Sequence, residues 1–553
     1  MTATEQAETQ DWPLRPWLLA ALLGFAGLFI HLVSSDHHEE PLRVAAAAFL
    51  FFAPIAAALS VEQRDWKAPA AFAAGLGLVM AGLAWRAVQY GQYLPDEEYG
   101  FAAGVVASLL ALPLFQAGFH KRRFQTPYSD AHFHVWNDAI AGAGAIAFTG
   151  LSWAVLALIS ELFHLLKIDL LRDLMEEEWF GWTLSGLAFG AALGTLKNQV
   201  KVFGTLQALT MLVLSLLAVP LALGLVLFLL ATIISGPDVL WQATRSATPL
   251  LLACAAGAFA LCNAVIRNED ASMSRSPIMR GAALVLAAVI LPLAVFAAVS
   301  MGLRLDQYGL APERLWGLVA IAVACAFGVG YWAALVRGRW HGWAALARQA
   351  NLHLAAGVCV LAIVLALPVL DFGGISARNQ IARLDSGKVS AAQFDYAALR
   401  WDFGEPGRKA LARLVKRPGA VGAAAKLAMA QEDRPYRTGP PPPERKSLRF
   451  AFADPALRLQ VNALLSAQPW VCGDPCVVLD EGTIADGRRH LIFVSAGQVR
   501  HYIHPEATEA GATPFYISPD LPEKVAPRSA VEVRPFAGRQ VYVDGKPVGA
   551  PFD

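Results

Sequence analysis

The chain has 553 residues, of which 56% are hydrophobic and 16% are charged, and its formal net charge is +1 at pH 7. Because soluble domains carry about 25% charged residues, this composition excludes an ordinary soluble protein and predicts an integral membrane protein whose partner is the lipid bilayer. Its longest basic run is Lys121–Arg123, which argues against a nucleic-acid partner.

Apolar runs fill the chain from residue 16 to residue 370, after a polar N-terminal stretch at 1–15 that lacks the basic region of a cleaved signal peptide. A helix needs about 20 apolar residues to cross the hydrocarbon core of a bilayer. On that basis the sequence predicts about eleven transmembrane helices, at 16–34, 44–61, 69–88, 101–119, 139–165, 180–196, 207–234, 247–266, 281–303, 315–336 and 353–370.

Basic residues mark every second loop. The loops after even-numbered spans carry Arg64 and Lys67, then Lys121–Arg123, Lys197 and Lys201, then Arg267, Arg275 and Arg280, and finally Arg337, Arg339 and Arg348. Positive loops stay in the cytoplasm. This pattern predicts a cytoplasmic N-terminus and, after an odd number of spans, an external C-terminus.

The composition changes after Asp371. Residues 371–431 predict an external segment of short helices, and the proline-rich residues 432–446 predict an extended linker. Residues 447–553 combine one helical pattern with several strand-like runs, which is typical of a small external α+β domain. Cys472 and Cys476 lie in this domain with Gly473 and Pro475 between them, so we expect a disulfide in an oxidising compartment.

Candidate functional residues are few. Glu161 and His164 stand one helical turn apart at the predicted outer end of the fifth span. The Asp-x-His-x-His pattern at 130–134 and the cluster at 36–40 lack the spacing of a complete metal site. We therefore predict no metal and no cofactor, and we expect these clusters to be solvated loops. No catalytic residue can be assigned.

The external loop from Arg304 to Arg314 is dense in ionic and aromatic groups. Its interaction candidates are Arg304, Asp306, Tyr308, Glu313 and Arg314. The alternatives are a simple connector with a helix start at Pro312 and a docking element that fixes the helices after Asp371 to the bundle. For the second alternative we expect Arg304 and Arg314 to face Asp385, Asp395 and Asp402.

Three stretches carry a resemblance to a known family: Tyr308–Leu318, Asp371–Val389 and Phe394–Leu411. They resemble an uncharacterised family of bacterial polytopic inner-membrane proteins that share a Tyr-Gly-Leu-Thr motif before a late helix. Ala311 replaces the threonine here. The resemblance covers residues 15–415 and implies a bacterial inner-membrane location, but it implies no activity.

Three functions remain compatible with these features. The sequence favours an envelope scaffold or sensor that presents an external domain and contacts other envelope proteins, because midplane charges are scarce. The alternative is a transporter or lipid-handling protein whose proline-kinked helices enclose a path. A lipid-linked glycosyltransferase comes third, since its acidic loop at 36–40 is short. An enzyme is thus the less favoured class.

Overall fold

The computed structural model describes residues 12–35, 40–63, 65–95, 97–236, 247–434, 448–467, 471–472, 475–483, 489–495, 498–504, 516–517, 531–536, 538–543 and 545–552. The chain divides into two compact units, Met1–Glu432 and Asp433–Asp553. Most of the predicted linker lies outside the described residues, as does the cluster at 36–39.

Eleven long helices precede Phe372 in the described part of the chain. They are α1 Arg15–Ser34, α2 Pro41–Ser60, α3 Lys67–Tyr90, α4 Glu97–Gln116, α5 Tyr128–His164, α6 Glu178–Asn198, α7 Val200–Ser235, α8 Ala247–Ile266, α9 Pro277–Tyr308, α10 Pro312–Arg339 and α11 Gly342–Ala366. Short helices Phe119–Arg122 and Leu170–Glu176 and the 3₁₀ turns Gly91–Tyr93 and Arg123–Gln125 lie in the connections.

The break between α10 and α11 is tight. Arg339 adopts a φ of 50°, which interrupts an otherwise continuous helical run. Gly338 packs against the backbone of Trp343, where a Cβ atom would overlap the Trp343 amide. The two helices can therefore fold back at this point only with a glycine there.

Ten of these helices are long and apolar enough to cross a membrane. The predicted polytopic helical fold is confirmed, and α8 has the predicted bounds. Helix α6, the predicted sixth span, is not among the ten, because glycine, tryptophan and threonine lower its hydropathy. Helix α5 begins at Tyr128 rather than at 139.

Helices α1 and α6 pack antiparallel through small residues. Gly186, Gly190 and Gly194 recur every fourth position of α6, so they form one face. A Cβ atom on Gly186 or Gly190 would overlap the carbonyl oxygens of Leu23 and Leu19, respectively. Such close backbone approach is typical of helix pairs in membranes.

Alanine-rich faces hold α7 to α11 together. Ala258, Ala283, Ala287, Ala297 and Leu286 are fully buried in one cluster that these helices share. Since lipid tails are as apolar as the side chains, helix association here depends on close packing rather than on the hydrophobic effect.

Four shorter helices follow α11. They are α12 Phe372–Asp385, α13 Tyr396–Trp401, α14 Gly404–Val415 and α15 Ala420–Ala430. Asp371 and Asp395 cap α12 and α13, because their carboxylates accept the Gly374 and Ala398 amides at 2.7 and 3.1 Å. Their own core is formed by apolar residues that include Leu399, Leu411 and Leu414.

The described residues of the second unit form helix α16, Pro455–Ala467, and eight strands. Sheet one has the order β1-β2-β3-β4-β5, with β1 parallel to β2 and the other pairs antiparallel, and sheet two has the order β6-β7-β8. The strands are β1 Leu448–Phe450, β2 Cys476–Thr483, β3 Arg489–Ser495, β4 Gln498–His504, β5 Tyr516–Ile517, β6 Val531–Phe536, β7 Gly538–Val543 and β8 Lys546–Phe552.

Cys472 and Cys476 form a disulfide at the start of β2, with their Cα atoms 5.8 Å apart. Both residues are buried against α16 and the first sheet, in a cluster with Leu457, Val461 and Phe493. The bridge thus ties the segment that follows α16 to the sheet.

Candidate functional site

A crevice of about 740 Å³ lies between α4, α8, α9, α10 and α11. We call it the apolar crevice. Its walls are alanine, valine, leucine and aromatic side chains. Along α10 the lining extends from Glu313 to Phe327, which is about 21 Å at 1.5 Å per residue. That length exceeds half the thickness of a hydrocarbon core, which is about 30 Å.

One end of the apolar crevice, which we call its mouth, is lined by Tyr99, Glu313 and Trp316, next to the Arg304–Arg314 loop. Among the described lining residues, Glu313 is the one acidic or basic side chain, and it is exposed. Trp316 stacks on Tyr99 with ring centroids 5.4 Å apart and meets the edge of Phe372 at 5.3 Å. The mouth therefore combines aromatic surface with one carboxylate.

A second cavity, which we call the polar pocket, lies at the opposite end, beside the break between α10 and α11. It has a volume of about 420 Å³ and a lining that includes Thr126, Tyr128, Asn268, Glu269 and Arg348. Its lining is richer in polar side chains than that of the apolar crevice.

Arg348 is 5% exposed and holds the end of α8. Its guanidinium donates to the Ile266 carbonyl at 3.0 Å, to the Arg267 carbonyl at 3.1 Å and to Asp270 at 2.8 Å. A cation that donates to the last carbonyls of a helix satisfies groups that have no partner within the helix.

Five side chains of α8, α10 and α11 form one layer of contacts next to the two cavities: Phe259, Asn263, Phe327, Tyr331 and Asn351. The Phe259 ring contacts the Phe327 and Tyr331 rings, with centroid distances of 4.9 and 5.9 Å. Asn263 donates to the Tyr331 hydroxyl at 2.7 Å and accepts from Asn351 at 2.7 Å. We call these residues the contact layer.

The contact layer touches both cavities. Phe259 and Phe327 line the apolar crevice, and the Tyr128 side chain, which lines the polar pocket, interacts with Asn351. Buried amides are expensive inside a membrane, so a hydrogen-bonded group of them is a candidate functional site by default.

The predicted loop Arg304–Arg314 is mostly helical, because α9 continues to Tyr308 and α10 begins at Pro312. We keep the name Arg304–Arg314 loop for this segment. It packs on α12, so the predicted contact with the helices after Asp371 is present. Arg383 donates to the Asp306 and Gln307 carbonyls at 2.8 and 2.7 Å. Gln380 donates to the Tyr308 and Leu310 carbonyls, both at 2.8 Å. Residues of α12 thus bind backbone groups of the loop.

Arg314 and Asp385, two of the groups expected to pair across this contact, have other partners. Arg314 donates to the Tyr308 and Gly309 carbonyls of its own loop, and Asp385 pairs with Arg417. The ion pair that crosses the contact has the opposite polarity: Lys388 lies 2.6 Å from Asp306. Backbone carbonyls at a helix C-terminus attract cations and so compete with carboxylates for the arginine side chains. A count of charged side chains does not include these carbonyls.

The side chains of the ion pair Asp385–Arg417 are both exposed to solvent. The hydrogen bond from Arg417 holds the pKa of Asp385 below its ordinary value. Because water screens such pairs, their contribution to stability is small. Arg304 is half-buried near the end of α9.

Glu161 and His164 lie at the end of α5, and the described linings of the two cavities do not include them. His164 pairs with Asp169 on the connection to α6, and Glu161 is exposed. His132, expected in a solvated loop, is instead buried in α5 beside Tyr128. The error follows from placing the start of α5 too late.

Sequence reasoning missed Asn263, Tyr331 and Asn351. Charged residues were sought inside the spans, whereas this site uses neutral amides and a phenol. Asparagine within the apolar run of α8 is the signal that could have found it, because an amide in a membrane helix needs a hydrogen-bond partner.

A family model described as a domain of unknown function, DUF4153, matches residues 17–414. No curated protein and no solved structure matches the chain. The matched residues include ten of the eleven long helices in full, all but the first two residues of α1, and nearly all of α14. This extent agrees with that of the resemblance found in the sequence. Since the match covers more than half of the chain, this integral membrane protein belongs to the DUF4153 family.

Proposed function

We propose that this protein is a lipid-handling membrane protein that takes an amphiphilic lipid into the apolar crevice. The observation that carries the proposal is a cavity of about 740 Å³ within the membrane-spanning helices whose lining is almost wholly apolar. Its volume falls within the roughly 300–1,000 Å³ of small-molecule sites. An acyl or isoprenoid chain is the occupant that this lining and this location favour.

A lipid that enters the crevice from the bilayer leaves an environment that is already apolar. A lipid tail gains little from the hydrophobic effect when it moves from other tails into a protein crevice, so close packing must supply the preference. The aromatic pair Tyr99 and Trp316 at the mouth and the nearby Glu313 offer contacts for a polar head group. Selectivity is therefore expected at the mouth.

Filling the crevice tests this proposal. Ala324 lines the apolar crevice, whereas Ala326 on the same helix is exposed and is not among its lining residues. We expect Ala324→Trp to abolish labelling of α10 and α11 by phospholipids that carry a photoreactive acyl chain, in protein reconstituted into nanodiscs. Ala326→Trp is the matched control and should label as the wild type does.

Comparing lipids with two different head groups shows whether the protein recognises the acyl chain alone or the head group as well. Photoreactive phosphatidylglycerol and phosphatidylethanolamine should both label the crevice if the chain alone is recognised, and unequally if the mouth selects a head. Labelling of lipid-facing residues only, at equal levels in both tryptophan variants, would contradict the proposal.

For location, we infer a bacterial inner-membrane protein with its N-terminus in the cytoplasm and its C-terminus outside. The five basic loops support this orientation, and so does the Cys472–Cys476 disulfide, since such bonds persist in oxidising compartments. Helix α6 lies along α1 from Gly27 to Arg15, so we count it as an eleventh crossing. The division at residue 371 and the external placement of 371–431 and 447–553 belong to this proposal.

Reporter fusions test the orientation. A reporter that is active only outside the cytoplasm should be active after Asp553 and silent after Arg123. The reverse pattern would exclude this topology but would not bear on the proposal that the crevice binds lipid.

A second candidate function, an envelope scaffold or sensor, is favoured by the packing of the Arg304–Arg314 loop on α12. Four hydrogen bonds from Gln380 and Arg383 hold α12 to this loop, which is what a platform for an external domain requires. The variant Arg383→Met tests this candidate. The two functions are compatible, because α12 also contacts the mouth of the crevice, where the Phe372 ring meets Trp316.

A further inference from the structure

We infer that the mouth of the apolar crevice holds a zwitterionic phosphoethanolamine head group, with Arg86 of α3 bound to its phosphate and Glu313 of α10 bound to its ammonium group. This inference rests on the proposed lipid binding and names the class of lipid that the same site selects. The juxtaposition that carries it is a half-buried guanidinium beside α4 and an exposed carboxylate on α10, the two helices that the contact between Tyr99 and Trp316 joins.

Arg86 lies where the ends of α3, α4 and α11 meet. Its Nη1 atom is 3.5 Å from the Ala366 carbonyl at the end of α11, and a Cβ atom on Gly100 of α4 would lie 3.8 Å from the same nitrogen. Ala366 and Gly100 directly follow Leu365 and Tyr99, which both line the apolar crevice. The guanidinium is therefore next to the mouth, on the side formed by α4 and α11.

The face of α3 that bears Arg86 is turned toward the helices of the crevice. Leu83 stands one turn earlier on that face and is buried in a cluster with Ala103 and Ala366, against which Trp316 packs. Arg86 itself is half-buried. A phosphate bound by this guanidinium would therefore belong to a lipid at the mouth rather than to the bilayer that surrounds the bundle.

The protein uses little of the donor capacity of Arg86. A guanidinium carries N–H donors on each of its nitrogens, and within the described part of the chain Arg86 makes one long hydrogen bond, to Ala366, and no ion pair. A permanent charge close to hydrocarbon is costly unless it has a partner of opposite charge. The planar fork of an arginine matches the oxygens of a phosphate, which makes a lipid phosphate the partner that fits.

Glu313 supplies the opposite charge on α10. It stands one turn before Trp316 on the same helix face, so its carboxylate and the indole ring share the mouth. The side chain of Glu313 is exposed. A primary ammonium donates to a carboxylate and is also attracted by the face of an aromatic ring, most strongly by that of tryptophan. The carboxylate and the ring together favour an ammonium group over the neutral glycerol of phosphatidylglycerol.

One pair of rings connects the two charged groups. Tyr99 stacks on Trp316 with centroids 5.4 Å apart, Arg86 lies beside the residue that follows Tyr99, and Glu313 lies one turn from Trp316. The phosphate and the ammonium of phosphoethanolamine are joined by a short ethylene link. Because the arginine and glutamate side chains are both flexible, one head group can meet both while its acyl chain extends along the apolar walls.

The test compares photoreactive phosphatidylethanolamine with photoreactive phosphatidylglycerol, at equal mole fractions, in nanodiscs that hold the full chain. Mass spectrometry quantifies the lipid attached to peptides of α10 and α11. We expect the wild type to incorporate roughly ten times more phosphatidylethanolamine, because hydrogen bonds to charged groups contribute more than neutral ones. Glu313→Gln should make the two lipids label equally, and Glu313→Lys should reverse the preference.

Variants of Arg86 test the phosphate contact. Arg86→Gln should lower labelling by both lipids roughly tenfold, because both carry the phosphate that it binds, and Arg86→Lys should retain most of the labelling, because it keeps the charge. Glu161→Gln and Arg172→Gln are the matched controls, since they remove the same charges from exposed residues outside the described crevice lining. Both should label as the wild type does. Because Glu313 is exposed, its variants test the inference even if Arg86→Gln fails to accumulate.

The outcomes keep this inference apart from lipid binding itself. If the wild type labels the crevice equally with both lipids, or if Glu313→Gln keeps the preference, the crevice binds lipid but Glu313 serves only the start of α10, and the head-group inference is wrong. If Arg86→Gln labels as the wild type does, Arg86 is only a partner of the Ala366 carbonyl and does not bind the phosphate. If neither lipid labels the crevice in the wild type, the lipid-binding proposal fails, and this inference fails with it.

Discussion

Replacing Gly190 by alanine is expected to destabilise the protein, although alanine is the better helix former. A Cβ atom at this position would overlap the Leu19 carbonyl of α1, so α1 and α6 must move apart. Overpacking of this kind costs about 1–3 kcal/mol, which outweighs a gain in helix propensity of at most about 1 kcal/mol. Gly190→Leu should prevent stable accumulation of the protein.

Gly142 on α5 supplies the control, because a Cβ atom there would meet nothing within 4 Å among the described residues. Gly142→Ala is expected to leave the apparent Tm of the detergent-solubilised protein unchanged or to raise it. Equal Tm values for Gly190→Ala and the wild type would contradict the close approach of α1 and α6.

Replacing Arg383 by methionine is expected to release α12 from the Arg304–Arg314 loop. Arg383 is 8% exposed, and its guanidinium donates to the Asp306 and Gln307 carbonyls. Hydrogen bonds from a charged group contribute about 1.5–3 kcal/mol each. The loss should therefore lower the stability of this contact by about 2–4 kcal/mol, since water can reach the exposed carbonyls afterwards.

Hydrogen exchange measured by mass spectrometry checks this expectation. Backbone amides of α12 should exchange faster in Arg383→Met than in the wild type, while those of α8 should not change. Lys388→Met is the control, because its ion pair with Asp306 is largely exposed and contributes at most about 1 kcal/mol. Unchanged protection of α12 in Arg383→Met would argue against the scaffold candidate.

The sequence predicted the helices well because a membrane span needs a long apolar run, and such runs are visible without any tertiary information. Its errors lie where tertiary contacts decide. Helix α5 extends back to Tyr128 through polar residues because they are covered by neighbouring helices. Asp138, for example, lies 3.8 Å from Lys197 of α6, and both side chains are largely buried.

The candidate site could be predicted only in part. The Arg304–Arg314 loop stood out by composition, and its contact with α12 was expected because the charge pattern predicts both segments on the same side of the membrane. The actual contact is made by Gln380 and Arg383 of α12, which donate to backbone carbonyls of the loop. Which carbonyls are available for this contact depends on where α9 ends. The two cavities depend on how α4, α8, α10 and α11 pack, which no single run of sequence encodes.

The most direct test of lipid binding in the crevice is a cryo-electron microscopy map of the full chain in lipid nanodiscs. We predict elongated density in the apolar crevice, beginning beside Trp316 and ending at Phe327, and we predict its absence in Ala324→Trp. A map in which the side chains of α4 and α8 close over α10, with no density along this line, would contradict the account.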